Sequence, residues 1–168
     1  RHEMERNFQR AGLAHGSYVI GSRRGTSSHQ YNPAVILAEK NTTEDAGGCY
    51  GMVFVYSGNF MCEAEKDQLG QARFMMGLQQ DSFHYPLVQG EELVVPETIL
   101  SYSGEGLSKL SQQYHRCIRE NVCRGVYSNK VRPVLINSWE AAYFNFTGED
   151  ICKLAREAAE LGIDMVVM

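Results

Sequence analysis

The chain has 168 residues, 43% hydrophobic and 21% charged, with a formal net charge of −4. This is ordinary globular material, long enough for one domain with a real core. The mild acidity and the lack of any Lys/Arg block beyond Arg23-Arg24 argue against nucleic acid, and no apolar run approaches the length of a membrane span.

Five cysteines (Cys49, Cys62, Cys117, Cys123 and Cys152) make an odd number without framework spacing, as expected of reduced thiols in a cytoplasmic protein. Asn41-Thr42-Thr43 and Asn145-Phe146-Thr147 match the glycosylation sequon, a pattern common by chance. There is no initiator Met and no signal-like amino terminus, which says nothing of export in a chain read as a fragment.

Arg1 to Gly16 is polar and without period, a loop with at most one strand. Tyr18-Val19-Ile20 reads as a short strand ended by Gly21. Ser22 to Asn32 is rich in hydroxyls, Gly and Arg, and is expected to be an ordered loop or edge segment. Pro33 holds Asn32 extended, and Val35-Ile36-Leu37 continues as a strand. Asn41 to Gly48 is turn chemistry throughout. Strands are then expected at Tyr50–Tyr56, Phe60–Glu65, Arg73–Leu78, Phe83–Leu87, Glu92–Val95 and Thr98–Tyr102. Short strands with turns every eight to twelve residues or so indicate an antiparallel β-sandwich.

Leu107, Leu110, Tyr114, Cys117, Ile118 and Val122 keep a helical period, which predicts a linking helix over 106–123. Arg124 to Lys130 is a polar connector. Composition and period both change there, placing a domain boundary near Gly125: residues 1–125 form the sandwich and its helix, and 126–168 a second unit.

That second unit opens with Val134-Leu135-Ile136, an apolar run without alternation, as expected of a strand covered on both faces. Thr147-Gly148-Glu149-Asp150 has the form of a capping box. Ile151, Leu154, Ala155, Ala158 and Leu161 follow at helical spacing, and Gly162 falls where a left-handed residue ends a helix. Met165-Val166-Val167-Met168 begins another buried strand. A strand, a helix and a strand beginning about thirty residues after the first make one βαβ unit. A natural domain does not end inside a buried strand, so the chain reads as a truncated piece of something larger.

Residues just past the carboxyl end of such a strand face the ligand in parallel α/β sheets and barrels. Asn137, Ser138 and Trp139, the only tryptophan, stand there. A lone Trp is commonly a core indole, but at a strand's polar end it also suits stacking against the C–H patches of a hexose. Asn137 points either into the interior or at the pocket rim, against the plainer reading of a capping or interior hydrogen bond. Glu140 is tempting because glycoside hydrolysis needs two carboxylates, yet no partner carboxylate is evident, and it is read as a structural acid that hydrogen-bonds loop backbone. Asp164 reads as an exposed turn residue.

Other clusters fail on context. Ser22 to His29 holds Ser, His and Arg but no nucleophile elbow, and Gly21…Gly25 lacks the Lys-Ser/Thr ending of a phosphate loop. It is read as a structural loop whose hydroxyls and guanidinium groups satisfy backbone against the neighbouring domain. Cys117, Cys123 and His115 fit no zinc spacing, so no metal is expected. Tyr114 and Cys117 are taken as core, and Met75-Met76, Met165 and Met168 as gap-filling apolar residues.

Arg132-Pro133-Val134-Leu135-Ile136-Asn137-Ser138-Trp139-Glu140-Ala141-Ala142-Tyr143-Phe144 resembles the start of the catalytic barrel in the α-galactosidases (melibiases) of glycoside hydrolase family 36. Ser22-Arg23-Arg24-Gly25-Thr26-Ser27-Ser28-His29-Gln30-Tyr31-Asn32-Pro33 and Val55-Tyr56-Ser57-Gly58-Asn59-Phe60 resemble signatures of that family's N-terminal β-domain, in the same order and spacing. The resemblance implies the latter part of a supersandwich-like domain followed by β1-α1-β2 of a (β/α)8 TIM barrel. It implies a retaining enzyme that releases terminal α-galactose from melibiose, raffinose and related oligosaccharides, without a cofactor. It places Trp139 in the galactose pocket. The nucleophile and acid/base aspartates, and a galactose-gripping aspartate pair, would lie beyond Met168, so no catalytic residue is expected here and the chain alone should be inactive. Tetramers are frequent among bacterial members, which implies a homo-oligomer. An α-N-acetylgalactosaminidase, a galactosyl-transferring relative, or a non-catalytic carbohydrate-binding β-sandwich are the competing readings.

Overall fold

A computed structural model of the chain describes residues 10–27, 31–81 and 83–168. The chain divides into two units, residues 1–115 and 116–168.

The first unit is built from two antiparallel three-stranded sheets. One orders β1 (Gly16–Gly21), β4 (Phe60–Lys66) and β5 (Ala72–Leu78) with β4 in the middle; the other orders β2 (Ala34–Ala38), β3 (Cys49–Phe54) and β6 (Thr98–Ser103) with β3 in the middle. Registers are regular, with Tyr18 opposite Ala64, Cys62 opposite Met76, and Tyr50 opposite Tyr102.

Alternation along β4 turns Phe60, Cys62 and Ala64 inward. Phe60 and Cys62 meet Phe54 of β3 in a buried cluster, rimmed by Ile20, Val35, Phe74, Met76 and Leu78. Both sheets contribute to this core, so they close on each other as the sandwich pattern anticipates. Burying a side chain the size of Phe60 stabilises by about 1.5–3 kcal/mol, whereas the exposed Arg73–Glu65 pair at 2.5 Å contributes at most about 1 kcal/mol. The core decides the stability of this unit.

The expected strands at 83–87 and 92–95 are absent; residues 83–97 carry no ladder, and Phe83, Tyr85, Leu87, Leu93, Val94 and Val95 are exposed. Pro86 and Pro96 fall at these segments and remove backbone donors from any ladder there. The methionines divide as well: Met76 joins the core rim, while Met75, Met165 and Met168 are exposed rather than filling gaps.

Helix α1 (Gly106–Cys117) starts against the 42–48 turn, whose carbonyl groups cap it. Gly106 N–H donates to Gly47 O at 3.0 Å, Leu107 N–H to Thr43 O at 3.1 Å and Ser108 N–H to Glu44 O at 2.9 Å. These satisfy amide donors that a helix start leaves unpaired. The turn itself is braced by the buried Thr42, whose hydroxyl donates to Gly48 O at 2.8 Å, and by the Glu39 carboxylate, which accepts from Gly48 N–H at 3.2 Å. Further along, Tyr114 lies over Gly51 and donates to Ile99 O at 3.3 Å, while Ser101 donates to Gln113 Oε1 at 2.7 Å. The helical stretch ends in one wider turn over Ile118–Val122, closed by Cys123 N–H on Ile118 O at 2.8 Å. It therefore runs over almost the 106–123 expected. Tyr114 and Cys117 are half-buried rather than fully core.

In the second unit, β7 (Leu135–Asn137) and β8 (Met165–Val167) pair in parallel, with Leu135 opposite Met165 and Asn137 opposite Val167. Between them come the short α2 (Trp139–Ala142) and α3 (Gly148–Glu160). The capping box is present: Asp150 N–H donates to Thr147 Oγ1 at 3.3 Å, and Thr147 N–H donates to Asp150 Oδ2 at 2.8 Å. Gly162, with φ +79°, closes the other end, its N–H on Ala159 O at 3.1 Å and the Ile163 N–H on Ala158 O at 3.0 Å. That is a Schellman ending, and glycine supplies the left-handed residue at no steric cost. Contrary to the expectation of a strand covered on both faces, Val134 and Leu135 are about half exposed. A parallel pair needs helices on both faces, and between β7 and β8 the chain supplies only the one-turn α2 and the longer α3.

Two variants test these devices. Gly106 has φ +85° and an added β-carbon would sit 2.5 Å from Glu44 O. Gly106→Ala should therefore lower the urea midpoint by an amount equivalent to more than about 2 kcal/mol, the left-handed penalty plus a backbone clash. Thr147→Ala should cost about 1 kcal/mol at neutral pH. The Thr147 hydroxyl, then its backbone amide, hold the Asp150 carboxyl below its ordinary 3.8. A depressed carboxyl stabilises the fold above 3.8 and loses that contribution as pH falls through the folded value. Denaturant melts against pH should show the Thr147→Ala deficit shrinking below that point.

Candidate functional site at the end of strand β7

Strand β7 ends at Asn137, and its parallel partner ends at the same level. Ser138, 2% exposed, locks the crossing point: its N–H donates to Val167 O at 2.9 Å, and its own carbonyl accepts from Ala142 N–H at 3.0 Å. One residue thus ties the end of β8 to the start of α2.

Asn137 Oδ1 accepts from Trp139 N–H at 2.9 Å. This is a capping bond, and it fixes the backbone of Trp139. Trp139 is 43% exposed in this chain. It is edged by Tyr143 at a centroid distance of 5.4 Å and 73°, and by Phe144 at 4.8 Å and 89°.

Tyr143 has φ 51° and ψ −115°, the one positive-φ residue other than glycine among the described residues. Such a conformation costs on the order of 1–3 kcal/mol. Edge-to-face pairs contribute about 0.5–1.5 kcal/mol each, so two of them offset a strain of that size. Tyr143 also donates to Glu140 Oε2 at 3.4 Å. Glu140 therefore binds a phenol one turn on, not the loop backbone expected for it.

Asp164 is exposed as expected, and it has a task at the opposite end of the strands. Its Oδ2 accepts from Val134 N–H at 3.1 Å while its N–H donates to Val134 O at 3.0 Å, setting the register of β7 against β8.

The Ser22 loop is structural. Ser22 is buried and donates to Thr26 O at 2.5 Å, Gly25 N–H donates to Asn59 Oδ1 at 2.7 Å, and Ser27 N–H donates to Ser57 O at 2.8 Å. Its hydroxyls satisfy backbone within the loop and the 56–59 turn, while the Arg23 guanidinium pairs with the Asp81 carboxylate. His29 lies outside the described residues. All five thiols are free. Burial pushes Cys62 up to about 12, and burial followed by the Glu39 charge raises Cys49, so neither is a nucleophile at neutral pH. Among the described residues no three His, Cys, Asp or Glu side chains gather to hold a metal ion, and no helix is long and apolar enough to cross a membrane.

The geometry is that of an aromatic platform at the carboxyl edge of a parallel strand pair. The sequence profile of the Glycosyl hydrolase family 36 N-terminal domain matches residues 1–88, and that of Melibiase matches residues 93–168. The chain belongs to glycoside hydrolase family 36. Within this family it is 70% identical to the bifunctional alpha-galactosidase/sucrose kinase AgaSK of Mediterraneibacter gnavus, over all of this chain and 18% of that protein. It is 47% identical to alpha-galactosidase AgaA of Geobacillus stearothermophilus, over 98% of this chain and 22% of that enzyme. The solved galactosidase domain of AgaSK superposes with a TM-score of 0.86, covering 98% of this chain and 23% of that one. A variant of AgaA in complex with raffinose gives 0.85 at 46% identity, covering 95% and 22%. The chain thus spans about a fifth of the length of these family 36 relatives.

The sequence placed Asn137, Ser138 and Trp139 at the strand end but not Tyr143 and Phe144 as parts of this site. The signal available was the clustering of three aromatics within six residues after an apolar strand, Trp139 to Phe144.

The Asn137 bond yields a prediction. Asn137→Ala should destabilise the second unit by about 1 kcal/mol, and Asn137→Asp, which keeps an acceptor for Trp139 N–H, should recover most of it. Thermal melts of the two variants beside wild type read this directly.

Proposed function

We propose that this chain is the sandwich-to-barrel segment of a retaining α-galactosidase, and that Trp139 forms one wall of its galactose pocket. The observation that carries the reading is a parallel strand pair with an indole held directly past its carboxyl edge, where barrel enzymes place their sites. The segment boundary lies near Gly125, with β7, α3 and β8 forming the first βαβ unit of a (β/α)8 barrel. The relatives' names support the activity, since several are alpha-galactosidases and one structure holds raffinose.

Chemistry in such an enzyme needs two carboxyl groups about 5–5.5 Å apart, one attacking the anomeric carbon and one protonating the leaving oxygen. We place both beyond Met168. This chain's contribution is to the sugar: an aromatic wall for its C–H face, fixed through Asn137 and Ser138 to the strand ends. Substrates are terminal α-galactosides of the raffinose type. The free thiols support a reducing, cytoplasmic setting. Assembly into a homo-oligomer rests on family resemblance alone.

The 168-residue chain alone should not turn over an aryl α-galactoside. In the full-length enzyme, Trp139→Ala should lower kcat/KM by about tenfold or more while Tm changes little. Unchanged kcat/KM with a collapsed Tm would instead make Trp139 a packing residue.

A further inference from the structure

The backbone of Trp139 is held by Asn137 and Ser138, but those bonds leave the indole free to rotate about its side-chain torsions. What meets it are two rings at near-perpendicular angles, Tyr143 at 73° and Phe144 at 89°. These belong to consecutive residues. Consecutive side chains point about 100° apart on a helix and to opposite faces on a strand, so neither regular structure brings both to one neighbour. The chain achieves it by leaving α2 through Tyr143 at φ 51°. Glycine would take that backbone without penalty, yet a tyrosine occupies it and is tied back to Glu140.

We infer that Tyr143 and Phe144 are positioning residues that orient the Trp139 indole for stacking on the sugar, the unfavourable backbone at Tyr143 being retained to bring both rings to it. The inference deepens the proposed function and rests on the reading of Trp139 as the pocket wall. Neither ring needs to touch substrate. Each acts through the orientation of the indole.

The test uses the full-length enzyme labelled with 5-fluorotryptophan, the Trp139 resonance being assigned by its loss in Trp139→Ala. Phe144→Leu should shift or broaden that resonance and lower kcat/KM for an aryl α-galactoside by about three- to tenfold. In the Trp139→Ala background the same substitution should change kcat/KM by less than about twofold, because its effect passes through the indole. Tyr143→Gly removes a ring and relieves the backbone, so it should hold or raise Tm while lowering kcat/KM, a split that a merely structural residue does not give. An unmoved resonance in Phe144→Leu, or equal losses in both backgrounds, overturns the inference while leaving the pocket role of Trp139 intact. A moved resonance with Trp139→Ala at wild-type kcat/KM retains the orienting contact and overturns the reading of Trp139 as the pocket wall.

Discussion

The second unit hangs on the parallel pairing of β7 with β8, and that pairing is pinned at both ends by side chains and peptides outside the strands. Asp164 grips both polar groups of Val134 at one end. The Ser138 amide closes on Val167 at the other. Three-residue strands have too few ladder bonds to set a register alone, and a slip of one residue would turn every side chain to the wrong face. With register fixed, the residue after the strand must present itself at the carboxyl edge. The place of Trp139 follows from those two clamps.

The sandwich unit is stabilised differently. Its central contacts are nonpolar and long-range, Phe54 from one sheet meeting Phe60 and Cys62 from the other. Polar groups there serve local geometry. The 42–48 turn spends its carbonyl groups on capping α1, and the Ser22 loop satisfies its own backbone. No buried side-chain nitrogen or oxygen among the described residues lacks a partner, which is the condition for loops this polar to stay ordered. The Cys49 and Cys62 thiols are driven toward the neutral form by burial, which removes them as nucleophiles.

What could be read from the sequence was what is encoded locally. The capping box at Thr147 and Asp150 and the glycine ending at Gly162 were legible because each depends on residues within one turn. Six of the expected sandwich strands formed, since alternation there reflects a real buried face. Residues 83–95 were misjudged because apolar content does not say whether a segment finds a ladder, and the prolines at 86 and 96 outweighed it. The short α2 has four residues, too few to show a period. Its exit through Tyr143 was illegible for a better reason: tyrosine is a poor choice for positive φ, so propensity pointed away from the conformation adopted. Consistency between local preference and fold breaks at this one residue, which stands beside the proposed site.

A crystal structure of the full-length enzyme with galactose bound tests the central claim most directly. The account predicts the Trp139 indole in van der Waals contact with the sugar's C–H face, within about 4 Å, at the carboxyl ends of parallel strands. Galactose bound elsewhere with that indole packed under other barrel residues would contradict it.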